Sequence, residues 1–148
     1  MLPVTERTLR VFVHVAAATV WVGGQFVLAG LVPVLRRDAP EAIRGTARRF
    51  QVLAWPAYGV LIVTGVVNLL AVNLSNRSSE YIATLAVKLV AVALSGIFAA
   101  AHAIYGGRRV ARATAPEVVR RRRAISGILG AGSALSAAAA LFLGVLLA

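Results

Sequence analysis

Residues 85–105 read LAVKLVAVALSGIFAAAHAIY, 21 residues in which Lys88 is the only formal charge. A helix needs about 20 residues to cross the roughly 30 Å hydrocarbon core of a bilayer, so this stretch is long enough and apolar enough to span. Working outward from it, three more windows of the same kind fit into the chain. The spacing predicts helices over about 9–34, 50–73, 81–106 and 124–147. Of 148 residues 59% are hydrophobic and 14% charged, whereas a soluble domain carries about a quarter charged residues. The fold class expected is all-α integral membrane: a four-transmembrane-helix bundle forming one membrane domain over 1–148, with almost nothing left over for a soluble domain.

The charges are segregated. The net charge is +11, and Lys88 is the only lysine among 16 basic residues. The first connection carries Arg36, Arg37, Arg44, Arg48 and Arg49, and the third carries Arg108, Arg109, Arg112 and Arg120 through Arg123. The remaining arginines are Arg7, Arg10 and Arg77. By the positive-inside bias, twelve against three places both basic loops in the cytoplasm and both termini outside. This is the pattern of a multi-pass protein of a bacterial cytoplasmic (inner) membrane. Nucleic acid is not an expected partner, because no basic stripe with interleaved aromatics occurs; the lipid bilayer is. The first apolar run is too long for a signal peptide and lacks a clear small-residue cleavage site, so it should persist as an uncleaved first helix.

Local signals refine the picture. Pro33 marks the approach to the end of the first helix. Asp38-Ala39-Pro40-Glu41 reads as a turn followed by a short amphipathic helix on the membrane surface. The second helix carries Trp55-Pro56, where a proline can kink a span. Asn73-Leu-Ser75 and Asn76-Arg-Ser78 match the glycosylation sequon but read as turn chemistry between antiparallel neighbours. The fourth helix is rich in Ser126, Gly127, Gly130, Gly132, Ser133, Ser136 and Ala137 to Ala140. Helices in lipid approach closely through such small faces, which also suits a homodimer.

Ionisable groups inside a span are costly and call for a reason. Setting aside Arg10 at a boundary, there are three: His14, Lys88 and His102. His14 and Lys88 each lie about 10 Å into their spans at 1.5 Å per residue, which puts them in one outer layer. The antiparallel second helix brings Asn68 to that depth with Thr64 one turn further in, and Thr84 lies one turn from Lys88. His14, Thr64, Asn68, Thr84 and Lys88 therefore converge near the outer leaflet, as a ligand site or as a polar plug that sets helix register. Lys88, Ser95 and His102 recur every seven residues and share a face. His102 nevertheless lies about 21 Å deeper than Lys88, in a layer with Tyr105, Gln25, Trp55 and Tyr58, where it reads as an interfacial anchor or a second metal candidate.

These levels bear on cofactors. Two histidines of one chain bind one haem only at the same depth, so His14 alone, or His14 with Lys88, is the haem b candidate. Copper as Cu(I) favours Met, Cys or clustered His, and this chain has Met1 and no cysteine. The absence of cysteine also removes disulfides and thiol chemistry. No phosphate loop or zinc-binding His-Glu pair occurs, and all five acids fall in loops or termini. No enzymatic reaction is assigned.

His14 followed by Trp21-Val22-Gly23-Gly24, then Pro33 and Arg36-Arg37, resembles the first helix of the CopD copper-resistance membrane domain. Arg48-Arg49-Phe50 leading to Val63-Thr64-Gly65-Val66-Val67-Asn68 resembles that family's second helix, and Leu85 to Val90, centred on Lys88, its third. The likeness covers roughly 10–105. A more distant likeness is to the HemJ-type protoporphyrinogen oxidases, four-helix membrane proteins associated with haem, whose first-helix His and third-helix Lys fall on His14 and Lys88. The resemblance implies an inner-membrane protein binding a haem-type or metal cofactor. His14 is then a ligand, Lys88 a second ligand or the partner of a propionate, and Asn68, Thr64 and Trp21 give support. Copper uptake or tolerance is the alternative the CopD name implies. An accessory or assembly protein whose polar layer only sets register is the other.

Overall fold

The computed structural model describes residues 4–106 and 116–147. Its described residues are almost wholly helical and contain no strand. Four long helices follow one another: α1 (Glu6–Asp38), α2 (Ala42–Leu70), α3 (Ser79–Ile104) and α4 (Pro116–Leu146). All four are long and apolar enough to cross a membrane. Of the basic residues expected in the third connection, Arg108, Arg109 and Arg112 lie outside the described residues, as does Met1.

Each helix runs past its apolar window into polar flanks. Thr5 caps α1 by accepting from Thr8 N–H at 3.2 Å, and Ser78 caps α3 by accepting from Tyr81 N–H at 3.2 Å. Glu6, Glu80 and Glu117 sit in first turns, where the helix dipole favours an acid. The basic connection between α1 and α2 is reduced to a turn around Ala39. Helix α2 starts at Ala42 rather than at Phe50, so no separate amphipathic helix precedes it; Arg44, Arg48 and Arg49 stand on its first turns. Beyond α2, Asn73 Oδ1 accepts from Ser75 N–H at 3.2 Å, the turn chemistry expected of that Asn-x-Ser.

The chain divides into two compact units, Met1–Arg77 and Ser78–Ala148. The first is the hairpin of α1 and α2; the second is the hairpin of α3 and α4.

In the first hairpin α1 is not uniform. A π turn over Thr19–Gly23 interrupts it, followed by a regular stretch to Asp38 that carries Pro33. The buried Trp21 lies in that turn, packed against Tyr58 with ring centroids 4.4 Å apart and against Trp55 at 5.6 Å. Directly after it, Gly24 is a steric requirement. A Cβ there would stand 2.5 Å from Cε2 of Phe50, so the ring of α2 lies on the α1 backbone.

In the second hairpin the facing positions follow a four-three spacing on both helices. On α3 they are Lys88, Ala91, Ser95, Phe98 and His102; on α4 they are Ser126, Gly130, Ser133, Ala137, Ala140 and Gly144. At its centre Ser95 Oγ donates to the Ser133 carbonyl at 3.1 Å, and Ser133 Oγ donates to the Ser95 carbonyl at 3.0 Å. Both serines are all but fully buried, at 1% and 2% exposure. A hydroxyl can reach the other helix's carbonyl only when backbones come close, which is what the alanines and glycines around it permit.

Candidate functional site

The sequence-predicted residues distribute over the two hairpins. His14, Thr64, Asn68 and Trp21 belong to the first; Lys88, Thr84 and His102 belong to the second.

The first hairpin holds two polar cross-links, one helical turn apart. His14 on α1 and Thr64 on α2 are both half-buried, and His14 Nδ1 lies 2.8 Å from Thr64 Oγ1. Thr64 spends its own hydrogen on its helix, donating to the Val60 carbonyl at 2.7 Å. Its oxygen therefore accepts from the imidazole, and His14 carries its proton on Nδ1. In the neutral ring the lone pair then belongs to Nε2. A metal-ligating histidine is commonly held this way, with the non-ligating nitrogen donating to a fixed partner that sets tautomer and ring orientation. The ring also lies along the α2 backbone at Gly65, where a Cβ would stand 3.4 Å from Cε1. That is ordinary contact distance, and a larger side chain would have to share the space with the ring.

One turn toward the start of α1, Arg10 Nε donates to Asn68 Oδ1 at 2.6 Å. The expectation had placed Asn68 beside His14 and set Arg10 aside as a boundary residue. In the structure Asn68 serves the guanidinium. The signal that would have found the pair is the spacing: Arg10 is four before His14, Asn68 four after Thr64, and the two helices run antiparallel. Trp21 stands two turns from His14 along α1. It belongs to the aromatic cluster with Trp55 and Tyr58, and Gln25 Nε2 donates to its carbonyl at 3.0 Å.

In the second hairpin Lys88 is half-buried, with its side chain lying over Gly144, where a Cβ would come within 3.0 Å of Nζ. It has no hydrogen-bond or ion-pair partner among the described residues. Thr84 is one turn away and donates to the carbonyl of Glu80 at 2.8 Å on its own helix. His102 Nδ1 lies 2.7 Å from the Ser126 carbonyl and 3.2 Å from Ser126 Oγ. A carbonyl only accepts, so Nδ1 of His102 is also the protonated nitrogen. Gly130 makes room for this ring: a Cβ there would be 3.2 Å from both Cε1 and Nδ1.

Among the described residues no group of three or more His, Cys, Asp or Glu side chains gathers around a point. A single histidine such as His14 would be the residue to hold a haem, which needs few donors from the protein. No family model, curated protein or solved structure matches the chain.

Proposed function

We propose that the chain is a multi-pass membrane protein of the CopD-like class that holds a haem-type cofactor through His14. The four spans, the arginine-rich connections on one side and the bacterial inner membrane as location belong to this reading, with both termini outside and the site near the outer leaflet. The observation that carries it is the His14–Thr64 bond. It orients the His14 ring through a residue of the other helix, as ligating histidines are commonly oriented. The residues of the hairpin would suit holding the cofactor through His14: a half-buried imidazole, hydrogen-bonded to Thr64, against a glycine. A haem bound there would supply one-electron chemistry that the side chains lack. Lys88 enters through the resemblance, as second ligand or as partner of a propionate; in its own hairpin the described residues give it no such partner.

The test is an absorption spectrum of the detergent-purified protein, oxidised and dithionite-reduced, with metal analysis on the same sample. A Soret band is expected in the wild type, lost in His14→Ala and shifted or weakened in Lys88→Ala. A flat spectrum with stoichiometric copper would move the assignment to copper uptake or tolerance. Colourless, metal-free protein that co-purifies with a partner would make the polar cross-links structural and the chain an accessory protein. If His14→Ala and Lys88→Ala both leave the Soret band unchanged, the site is misplaced.

A further inference from the structure

Arg10, at the boundary of the first span, is held by the other helix of its hairpin. It is half-buried, and Asn68 Oδ1 accepts from its Nε at 2.6 Å. An asparagine carboxamide is neutral, so this bond orients the guanidinium without compensating its charge. Glu6 lies one turn earlier on the same helix, at the spacing where an acid and a base pair. Arg10 still makes no ion pair among the described residues. With Nε committed to Asn68, the outer edge formed by the two Nη groups remains, and that edge matches a carboxylate or phosphate bidentately. A half-buried cation at the boundary of a span without a counter-charge carries a desolvation cost, and an oxyanion on that edge offsets it.

We propose that Arg10, positioned by Asn68, is an oxyanion-binding residue one turn from His14. The oxyanion has two chemical sources at this boundary. One is a carboxylate of the molecule that His14 ligates, which rests on the cofactor reading above. The other is the phosphate of a lipid headgroup, which does not. Asn68 is a positioning residue: it holds the fork at a fixed angle and touches no ligand.

The experiment has two arms, run on wild type, Arg10→Gln and Asn68→Ala, each checked for helicity. In the first, detergent-purified protein is titrated with hemin and with hemin dimethyl ester, whose carboxylates are masked. Wild type is expected to bind hemin about tenfold tighter than the ester, the advantage of a charge-assisted fork over a neutral contact. Arg10→Gln is expected to bind both alike, with an unchanged Soret position because His14 is intact. In the second arm, protein released from nanodiscs of mixed phosphatidylglycerol and phosphatidylcholine is weighed by native mass spectrometry. Retained phosphatidylglycerol, lost in Arg10→Gln, assigns the site to a lipid phosphate. Should Arg10→Gln not fold, Asn68→Ala keeps the charge and unties the fork, and it is expected to reduce the preference in whichever arm shows one. A wild type that binds neither porphyrin refutes the cofactor reading, and the lipid arm then decides Arg10 alone. No hemin-over-ester preference together with no Arg10-dependent lipid retention overturns the proposal.

Discussion

Replacing Ser95 and Ser133 by alanine, singly and together, tests the seam of the second hairpin. The two bonds share no atom: one runs from Ser95 Oγ to the Ser133 carbonyl, the other from Ser133 Oγ to the Ser95 carbonyl. Each alanine removes one hydroxyl and leaves behind a carbonyl that still accepts within its own helix, so no buried group is orphaned. Hydrogen bonds between helices in lipid are worth about 0.6 kcal/mol on average and up to about 1.7 kcal/mol. Their geometry here, 3.0 and 3.1 Å with the serines at 2% and 1% exposure, places each toward the upper part of that range. Each single variant should therefore lose about 1 kcal/mol, and because the two serines touch, the departure of the double variant from about 2 kcal/mol measures their coupling. Leucine is a different perturbation, since two more heavy atoms than serine carries would have to enter a seam closed by Ala91, Ala137 and Ala140. Overpacking there should cost about 1–3 kcal/mol beyond the lost bond.

The assay is unfolding in mixed micelles, followed by helicity, with a cysteine cross-link as an independent check. Because the chain has no native cysteine, a protein carrying Ser95→Cys and Ser133→Cys reports this contact alone. It should form an intramolecular disulfide rapidly on mild oxidation. If both alanine variants are neutral, leucine is tolerated at either position and the cysteine pair fails to close, α3 and α4 do not meet along this face.

Three further outcomes follow from the same geometry. On the proposed cofactor site, Thr64→Val keeps shape and removes the partner of His14 Nδ1, so the affinity for hemin should fall about 10- to 100-fold, the loss typical when a ligating histidine loses its partner; Thr64→Ser should restore it in the same titration. Gly130→Val should destabilise the second hairpin by about 1–3 kcal/mol in micelle unfolding, because His102 is pinned by Ser126 and cannot yield. Gly144→Ala should be tolerated in that assay, because the atom it meets is the flexible tip of Lys88.

The existence and order of the helices were legible because a helix able to cross a membrane needs a minimum apolar length, and four windows of that length stand in the chain. Their ends were less legible. Hydropathy marks where apolar side chains stop, whereas a helix continues as long as its backbone bonds are satisfied. Arg44 to Arg49 thus read as a connection and fold as the first turns of α2. The serine, glycine and alanine face of α4 was readable as a packing surface, and the seven-residue recurrence of Lys88, Ser95 and His102 gave the face of α3 that meets it. The π turn at Thr19–Gly23 left no mark in the pattern beyond the paired glycines. Arg10–Asn68 was missed because depth was judged along each helix separately, and a pair across antiparallel helices shows only when the positions are matched in opposite directions.

The two histidines show why residue type does not separate a ligand from a lock. Both hold their proton on Nδ1 and both donate to the neighbouring helix. What differs is the partner and the room. His102 gives its proton to a main-chain carbonyl of α4, and Gly130 admits the ring so closely that even a methyl there would force a shift of a few tenths of an ångström; this is a ring used to join two helices. His14 gives its proton to a side-chain hydroxyl and meets Gly65 at ordinary contact distance, with a fixed cation one turn away. Joining α1 to α2 does not require a guanidinium and an imidazole in adjacent turns, because serine pairs of the kind at Ser95 and Ser133 would do it without placing charge in the span. The same reasoning applies to Lys88, whose Nζ reaches across Gly144 without a partner among the described residues. A packing role explains the serines and His102 but not the charge of Arg10 and Lys88, and the proposed ligand site would use that charge.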